Sequence, residues 1–420
     1  MPRFGARALS MALVFAIIPA PAVPQQGPTL RFGLDTRLES QKNPNLSAGG
    51  GPRVQSATAN LSFGYLRETR AERLSLDGNA VLRAGAAAGG LRRGLQDPTL
   101  RASYFREGID GSLFLTARLR ESEFSTLRSL EEFIDPETGL IELPEDFDAL
   151  RGTGRRRETG LGFRLVQGED RRIGWTTGAD LTRRSYSGPG TGALRDSRRV
   201  ALSFGLRLTI DAVTRANVTL RQSRFIEDGA GGARRTTREL GLSLRRDLPD
   251  GSIGGQIGFD RLPEGTRTSA SLSRSWDLPT GSLSASIGAV RPAAGSGAQV
   301  TGSLFWSRET PQGRFDAQLR HSVGAGSDDR ERVTTVGSVG FGRDLTDRSR
   351  LSMRLGHSES RTPGGGSRTA LSSLTFDYRY DLDPNWGLSA GYQIRQRTES
   401  GAGSARADRI YLGLRRSWEF

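Results

Sequence analysis

The chain has 420 residues, 35% of them hydrophobic, and a mean hydropathy of −0.46, which excludes a bundle of membrane-spanning helices. Its 55 glycines and 18 prolines favour many turns over long helices, and with no cysteine there is neither a disulfide framework nor a thiolate metal site. The formal charge of +14 is almost all arginine (Lys42 is the sole lysine), but no patch interleaves basic and aromatic residues, so nucleic acid is not an expected partner.

The first residues read as an address. Met1 to Arg7 is basic, Ala8 to Ile18 is an apolar run of eleven, and Ala20-Pro21-Ala22 is a small-x-small cleavage site. This pattern predicts a secretory signal peptide over 1–22 and a mature domain over 23–420, with a charge near +12 once Arg3 and Arg7 leave. Eleven apolar residues are too few to cross a bilayer core of about 30 Å. No other apolar run approaches the length of a spanning helix.

Beyond the leader, apolar residues alternate with polar or small ones. The sets begin with Leu30/Phe32/Leu34 and Leu61/Phe63/Tyr65, and continue through Leu113/Leu115/Ala117/Leu119 and Leu161/Phe163/Leu165. Val200/Leu202/Phe204/Leu206/Leu208 is the cleanest. Period two means strands with one apolar face. The pattern predicts about twenty strands (roughly 18–22), each of roughly ten residues or slightly more.

Connections alternate in length. Short ones fall at 107–111, 168–171 and 211–213; long ones at 40–56, 85–98, 122–156, 185–198, 226–236, 291–298, 323–331, 361–368 and 398–407. A tight turn then recurs as D247-L-P-D-G-S252, D277-L-P-T-G-S282, E309-T-P-Q-G-R314, D344-L-T-D-R-S349 and D381-L-D-P-N-W386. Proline presets the first corner and glycine supplies the left-handed residue. The acids are 30, 32, 35 and 37 residues apart. That drift fits outer loops of variable length better than a soluble solenoid or propeller. The expected fold class is all-β: one transmembrane, antiparallel, up-and-down β-barrel with tight turns on one rim and longer loops on the other.

The chain ends on a strand that places Ile410, Leu412, Leu414, Arg416, Trp418 and Phe420 on one face. It resembles the last strand of Gram-negative outer-membrane β-barrel proteins of the porin-like kind. The resemblance implies an outer-membrane location and an assembly signal at Trp418 and Phe420 read by the barrel-assembly machinery. It also implies contact with outer-membrane lipid and lipopolysaccharide. Arg416 departs from the all-apolar pattern, near enough to the interface for its side chain to reach the headgroups. Trp175, Tyr65, Tyr104, Trp306, Trp386, Tyr378 and Trp418 share the apolar parity of interfacial girdles.

A barrel of this size should enclose a lumen. A TonB-type plug would need a sizeable domain before the first strand. Only about seven residues separate the expected cleavage point from Leu30, so any obstruction is expected from a loop. The long loop 122–156 is acidic, with Glu142, Glu145, Asp146 and Asp148 as candidate constriction residues, by analogy with the third loop of porins. The inward parity carries Arg101, Arg118, Arg120, Arg164, Arg207, Arg221, Arg245, Arg354 and Arg395 as a candidate pore lining, and also Arg415. Ordinary pairing with inward carboxylates such as Asp35, Asp77, Glu158 and Glu239 is the plainer reading.

The two histidines, His321 and His357, both have lipid-facing parity, so neither makes a catalytic base for a Ser/His or Asp/His site. Calcium between the loop carboxylates would not match the spacing of an EF-hand loop. No glycine-rich stretch carries the Lys-Ser/Thr of a phosphate loop. No enzyme, cofactor or resident metal is expected. The expectation is a porin-like channel for small hydrophilic, anionic solutes. The competing one is a non-channel barrel serving polysaccharide export or surface interaction.

Overall fold

The computed structural model describes residues 27–87, 90–124, 154–188, 194–229, 232–293, 297–325, 331–361, 368–401 and 403–420. The expected signal peptide and the candidate constriction residues Glu142, Glu145, Asp146 and Asp148 lie outside the described residues. The first ten strands are β1 (Thr29–Lys42), β2 (Arg53–Glu68), β3 (Glu72–Ala87), β4 (Gly90–Glu107), β5 (Gly111–Glu123), β6 (Arg155–Gln167), β7 (Ile173–Ser187), β8 (Ser197–Thr209), β9 (Thr214–Glu227) and β10 (Arg234–Leu248). The second ten are β11 (Gly251–Leu262), β12 (Gly265–Leu278), β13 (Gly281–Arg291), β14 (Gln299–Thr310), β15 (Gly313–Ala325), β16 (Glu331–Thr346), β17 (Ser349–Arg361), β18 (Arg368–Asp381), β19 (Trp386–Glu399) and β20 (Gly403–Glu419).

Each strand pairs antiparallel with the next, and β20 pairs with β1 over twelve residues from Arg31↔Glu419 to Lys42↔Asp408. The sheet is a closed 20-stranded barrel. At the seam Leu30 and Phe420 exchange both backbone hydrogen bonds, at 3.0 and 2.9 Å, and the Phe420 ring meets Phe32 edge-on at 6.3 Å.

One expected loop is strand instead. Residues 85–98 are rich in glycine and alanine, yet pairing runs on through Gly85↔Arg92 to Ala87↔Gly90. Small residues weaken the side-chain pattern without interrupting the backbone ladder, so composition misleads here. The register shifts once, between Asn79 and Val81, opposite Asp97 at φ 47°. The Asp97 carboxylate accepts the Glu123 N–H at 2.7 Å, tying this bulge to the end of β5.

The recurring turn builds one rim. The backbone N–H of each acid in the series donates to a carbonyl of the preceding turn: Asp247 to Val213 (2.8 Å), Asp277 to Asp250 (2.9 Å), Glu309 to Thr280, Asp344 to Gln312 and Asp381 to Arg348 (each 2.7 Å). Neighbouring hairpins are thereby stitched together. The glycines have a sharper reason than turn conformation alone. A Cβ on Gly251, Gly281 or Gly313 would lie 2.1, 2.0 or 2.0 Å from the carbonyl oxygen of Ser275, Ser307 or Gly342. Only Gly251 also needs positive φ, at 134°.

Aspartates brace the same rim. Asp211 accepts the N–H groups of Val213 and Thr214 at 2.9 and 2.8 Å, and Asp250 takes Arg274 on both oxygens at 2.6 and 2.7 Å. The Val213 N–H holds the Asp211 carboxyl below the usual aspartate range, and the Arg274 hydrogen bonds do so for Asp250. Their contribution is therefore full above the ordinary aspartate pKa and is lost as pH falls through the lowered folded values.

All five tryptophans, Trp175, Trp276, Trp306, Trp386 and Trp418, sit within four residues of this rim on the outward face. The exception noted at Arg416 is resolved by two of them. Its guanidinium lies 4.8 Å from the ring centres of both Trp386 and Trp418. A cation held between two indoles loses little by leaving water.

Two outcomes follow. Gly281→Ala and Gly313→Ala each drive a methyl into a carbonyl and are expected to cost about 2–3 kcal/mol, read as a lower urea midpoint for the detergent-solubilised barrel. Arg416→Ala is expected to cost about 1–2 kcal/mol and to change tryptophan emission, which an ordinary exposed arginine would leave alone.

Candidate functional site

Alternation sorts every strand into two faces. Outward residues are large, apolar and open: Leu202 is 57% exposed, Leu272 66% and Leu412 63%. Hydrocarbon is the only surrounding in which such a belt is stable. The other face looks into the lumen and divides into sectors of different chemistry.

Across β11–β14 the middle of the lumen face carries no charge. Ser271 and Ser273 stand beside Gly288 and Ser286, and these in turn beside Thr301 and Ser303. Hydroxyls pair across strands, Ser252 with Ser275 at 2.7 Å, Ser282 with Ser307 at 3.0 Å and Ser286 with Ser303 at 2.7 Å.

On β5–β7 the chemistry is ionic and buried. Glu158 takes three guanidinium groups, Arg156 at 2.7 Å, Arg118 at 2.8 Å and Arg184 at 3.1 Å. Arg156 is 6% exposed and Glu158 9%. Above this hub Phe124 is fully buried against Tyr186 and Leu194, its ring edge-on to Tyr186 at 6.4 Å. Sequence reasoning names Glu158 only as a carboxylate of inward parity and misses Phe124. The signal for Phe124 was an aromatic directly after the end of β5, where a solvated loop would carry a polar residue.

From β17 to β20 the loop-side half of the inner face is covered. Ser358, Leu371, Gln393, Arg395, Arg397 and Ala407 are all less than 9% exposed. That half is packed rather than wetted wall, while Arg354 and Arg415 lie nearer the short-turn rim.

The predicted lining arginines separate accordingly. Arg101, Arg164, Arg221 and Arg354 point inward with no ion pair or hydrogen bond among the described residues. Arg118 is held by Glu158, and Arg245 by Asp247 at 3.1 Å. Arg120 donates to Ser122 at 3.1 Å. Arg207 donates to the carbonyls of Gly168, at 2.8 Å, and Glu169, so it braces the β6–β7 turn. Arg415 lies 3.2 Å from Asp381 at the rim. Arg395 is 6% exposed. Among the inward carboxylates, Asp35 pairs with Arg37 at 3.0 Å, while Asp77 and Glu239 face Arg101 and Arg221 in register without an ion pair.

The histidines face outward on β15 and β17. His321 Nδ1 lies 2.7 Å from the Thr335 hydroxyl and His357 Nδ1 lies 2.9 Å from that of Ser372. Each is a cross-strand partner of a hydroxyl.

No family model and no curated protein matches the sequence. Solved structures do share the architecture. The siderophore receptor PirA from Pseudomonas aeruginosa superposes with a TM-score of 0.50 at 12% identity, over 93% of this chain and 80% of the receptor. The ferric enterobactin receptor PfeA gives 0.50 at 10% identity, over 92% and 81%. The outer membrane protein OpdK from Pseudomonas aeruginosa gives 0.42 at 11% identity, over 94% and 99%, a looser likeness that carries no functional weight. In fold the chain is a Gram-negative outer-membrane β-barrel.

Glu158→Gln removes the one carboxylate that three guanidinium groups share. It is expected to lower stability by about 3 kcal/mol, whereas Asp247→Asn, at an exposed pair, is expected to cost under about 1 kcal/mol. Thermal unfolding of the two variants side by side checks both.

Proposed function

We propose that this outer-membrane barrel is a porin-like channel for passive diffusion of small hydrophilic solutes, with a preference for anions. The observation that carries the reading is the set of unpaired lumen arginines, Arg101, Arg164, Arg221 and Arg354, spread over four strands of the inner face. A water-filled, low-dielectric tube focuses the field of such charges and enriches the opposite sign. Arg395, being buried, is left out of this wall. The serine face of β11–β14 offers neutral hydrogen-bonding water contacts beside it. In this reading the closing strand, with Trp418 and Phe420, is what the assembly machinery engages, and the outward belt meets lipid.

A second reading has its own support. The covered loop-side half of the inner face of β17–β20 favours a barrel that does not conduct by default, serving polysaccharide export or surface interaction.

Planar bilayers separate the two. Stable steps with an anion-selective reversal potential in a potassium chloride gradient are the expected result, and Arg164→Glu/Arg221→Glu/Arg354→Glu is expected to move that potential toward the cation side. Cation selectivity in the unaltered barrel refutes the anion preference. Silence across many insertions refutes the channel and leaves the second reading.

A further inference from the structure

Near the short-turn mouth the lumen face departs from its polar character. Phe105 on β4 and Phe114 on β5 both point inward and stand directly opposite each other. The same row continues to Arg73 on one side and Arg164 on the other, each in register with its phenyl neighbour. Arg73, Phe105, Phe114 and Arg164 thus form one line across β3 to β6, close to the tight turns.

No ring or charge in this line is engaged. Phe114 is 38% exposed, and both arginines are exposed. Among the described residues the two rings make no ring contact, and neither guanidinium has an ion pair, a hydrogen bond or a ring beneath it. Glu68 on β2 stands opposite Arg73 without pairing, and the residue opposite Arg164 on β7 is Gly178.

Inward rings elsewhere are engaged where arginine is at hand. Phe225 lies between Arg199 and Arg235, each 5.6 Å from its centre. Tyr411 is buried, with Arg37 at 5.1 Å and Arg409 at 5.4 Å. A cross-strand aromatic pair stabilises a sheet when its side chains meet, and the inner wall of such a barrel is ordinarily polar. Ring packing does not account for the line on β3 to β6.

We infer that it is a binding subsite for a small aromatic carboxylate. A ligand ring laid on Phe114 and Phe105 covers apolar surface that otherwise faces water. The Arg164 fork stands one strand spacing away, ~4.8 Å, and takes both oxygens of a carboxylate attached to that ring. Arg73, with Glu68 opposite it, is the weaker end. Inorganic anions lack the ring and neutral aromatics lack the charge, so the two features together select the class. This subsite deepens the channel reading and rests on it for the anion preference of the lumen. It lies close enough to the mouth to be reached whether or not the far half conducts.

The full barrel in detergent is titrated with para-fluorobenzoate, fluoroacetate or para-fluorobenzamide, and binding is read from fluorine NMR line widths against empty micelles. The unaltered chain is expected to bind para-fluorobenzoate at least about tenfold more tightly than either other probe. Phe105→Ser/Phe114→Ser and Arg73→Gln/Arg164→Gln are each expected to weaken that binding by at least about tenfold. Phe305, an inward ring on β14 flanked by Ser284 and Gln318, is the control, and Phe305→Ser is expected to bind like the unaltered chain. Equal affinity in the unaltered chain and the site variants overturns the subsite. So does fluoroacetate or para-fluorobenzamide held as firmly as para-fluorobenzoate, or an equal loss in Phe305→Ser. A barrel that conducts anions but binds no para-fluorobenzoate loses the subsite and keeps the channel. One that binds it without conducting keeps the subsite and loses the channel. Should a double variant fail to reach a heat-modifiable folded form, Phe114→Ser and Arg164→Gln alone are held to the same limits.

Discussion

In hydrocarbon a backbone amide has no water to bond, so every N–H and C=O along a crossing strand must find its partner within the sheet. Here that requirement is met by closure: nineteen ladders in sequence and a twentieth pairing that returns β20 to β1. The short-turn rim extends the same logic one step past the strands. Each turn acid donates its N–H to the turn before it, so the hairpin ends are linked to one another. With the backbone satisfied this way, only one face of each strand has to be apolar. A membrane protein with a mean hydropathy of −0.46 is the result.

The two rims treat the membrane boundary with different chemistry. At the short-turn end five indoles mark the interface, and the one arginine that intrudes on the terminal strand is enclosed between two of them. An indole is amphipathic and accepts any headgroup. At the loop end arginine takes over, neutralised by carboxylates at Arg368 and Arg406 and without an ion pair among the described residues at Arg157, Arg183, Arg198 and Arg361. The asymmetry across the membrane comes from residues on the lipid face.

The lumen is not a uniform positive wall. Arginines of identical parity have different fates according to what the neighbouring strand presents. Arg118 meets Glu158, Arg207 meets turn carbonyls, and Arg164 faces Phe114 on one side and Gly178 on the other and stays open. The hub at Glu158 is structural: a buried carboxylate holding the buried Arg156, the half-buried Arg184 and the exposed Arg118 is too tightly fixed to serve as a mobile filter. In the channel reading proposed above, solute selectivity falls to the arginines that remain unpaired among the described residues and to the uncharged serine face beside them.

Much of this was legible in the chain itself, because alternation and turn chemistry are local. Val200 to Leu208 announces a strand with one apolar face, and D247-L-P-D-G-S252 announces the turn that closes it. The strand count, the direction of each side chain and the rim with tight turns follow from such segments, together with the aromatic end at Phe420. The stretch 85–98 escaped because glycine and alanine blur the alternation while the ladder continues. Register lay beyond local reading. Backbone pairing between strands decides that Arg118 and Glu158 touch, that Arg395 is buried, and that Arg416 lands between Trp386 and Trp418. It also aligns Arg183 with Arg198. Period two tells which face a residue occupies; which charge stands opposite is set only when the strands are laid side by side.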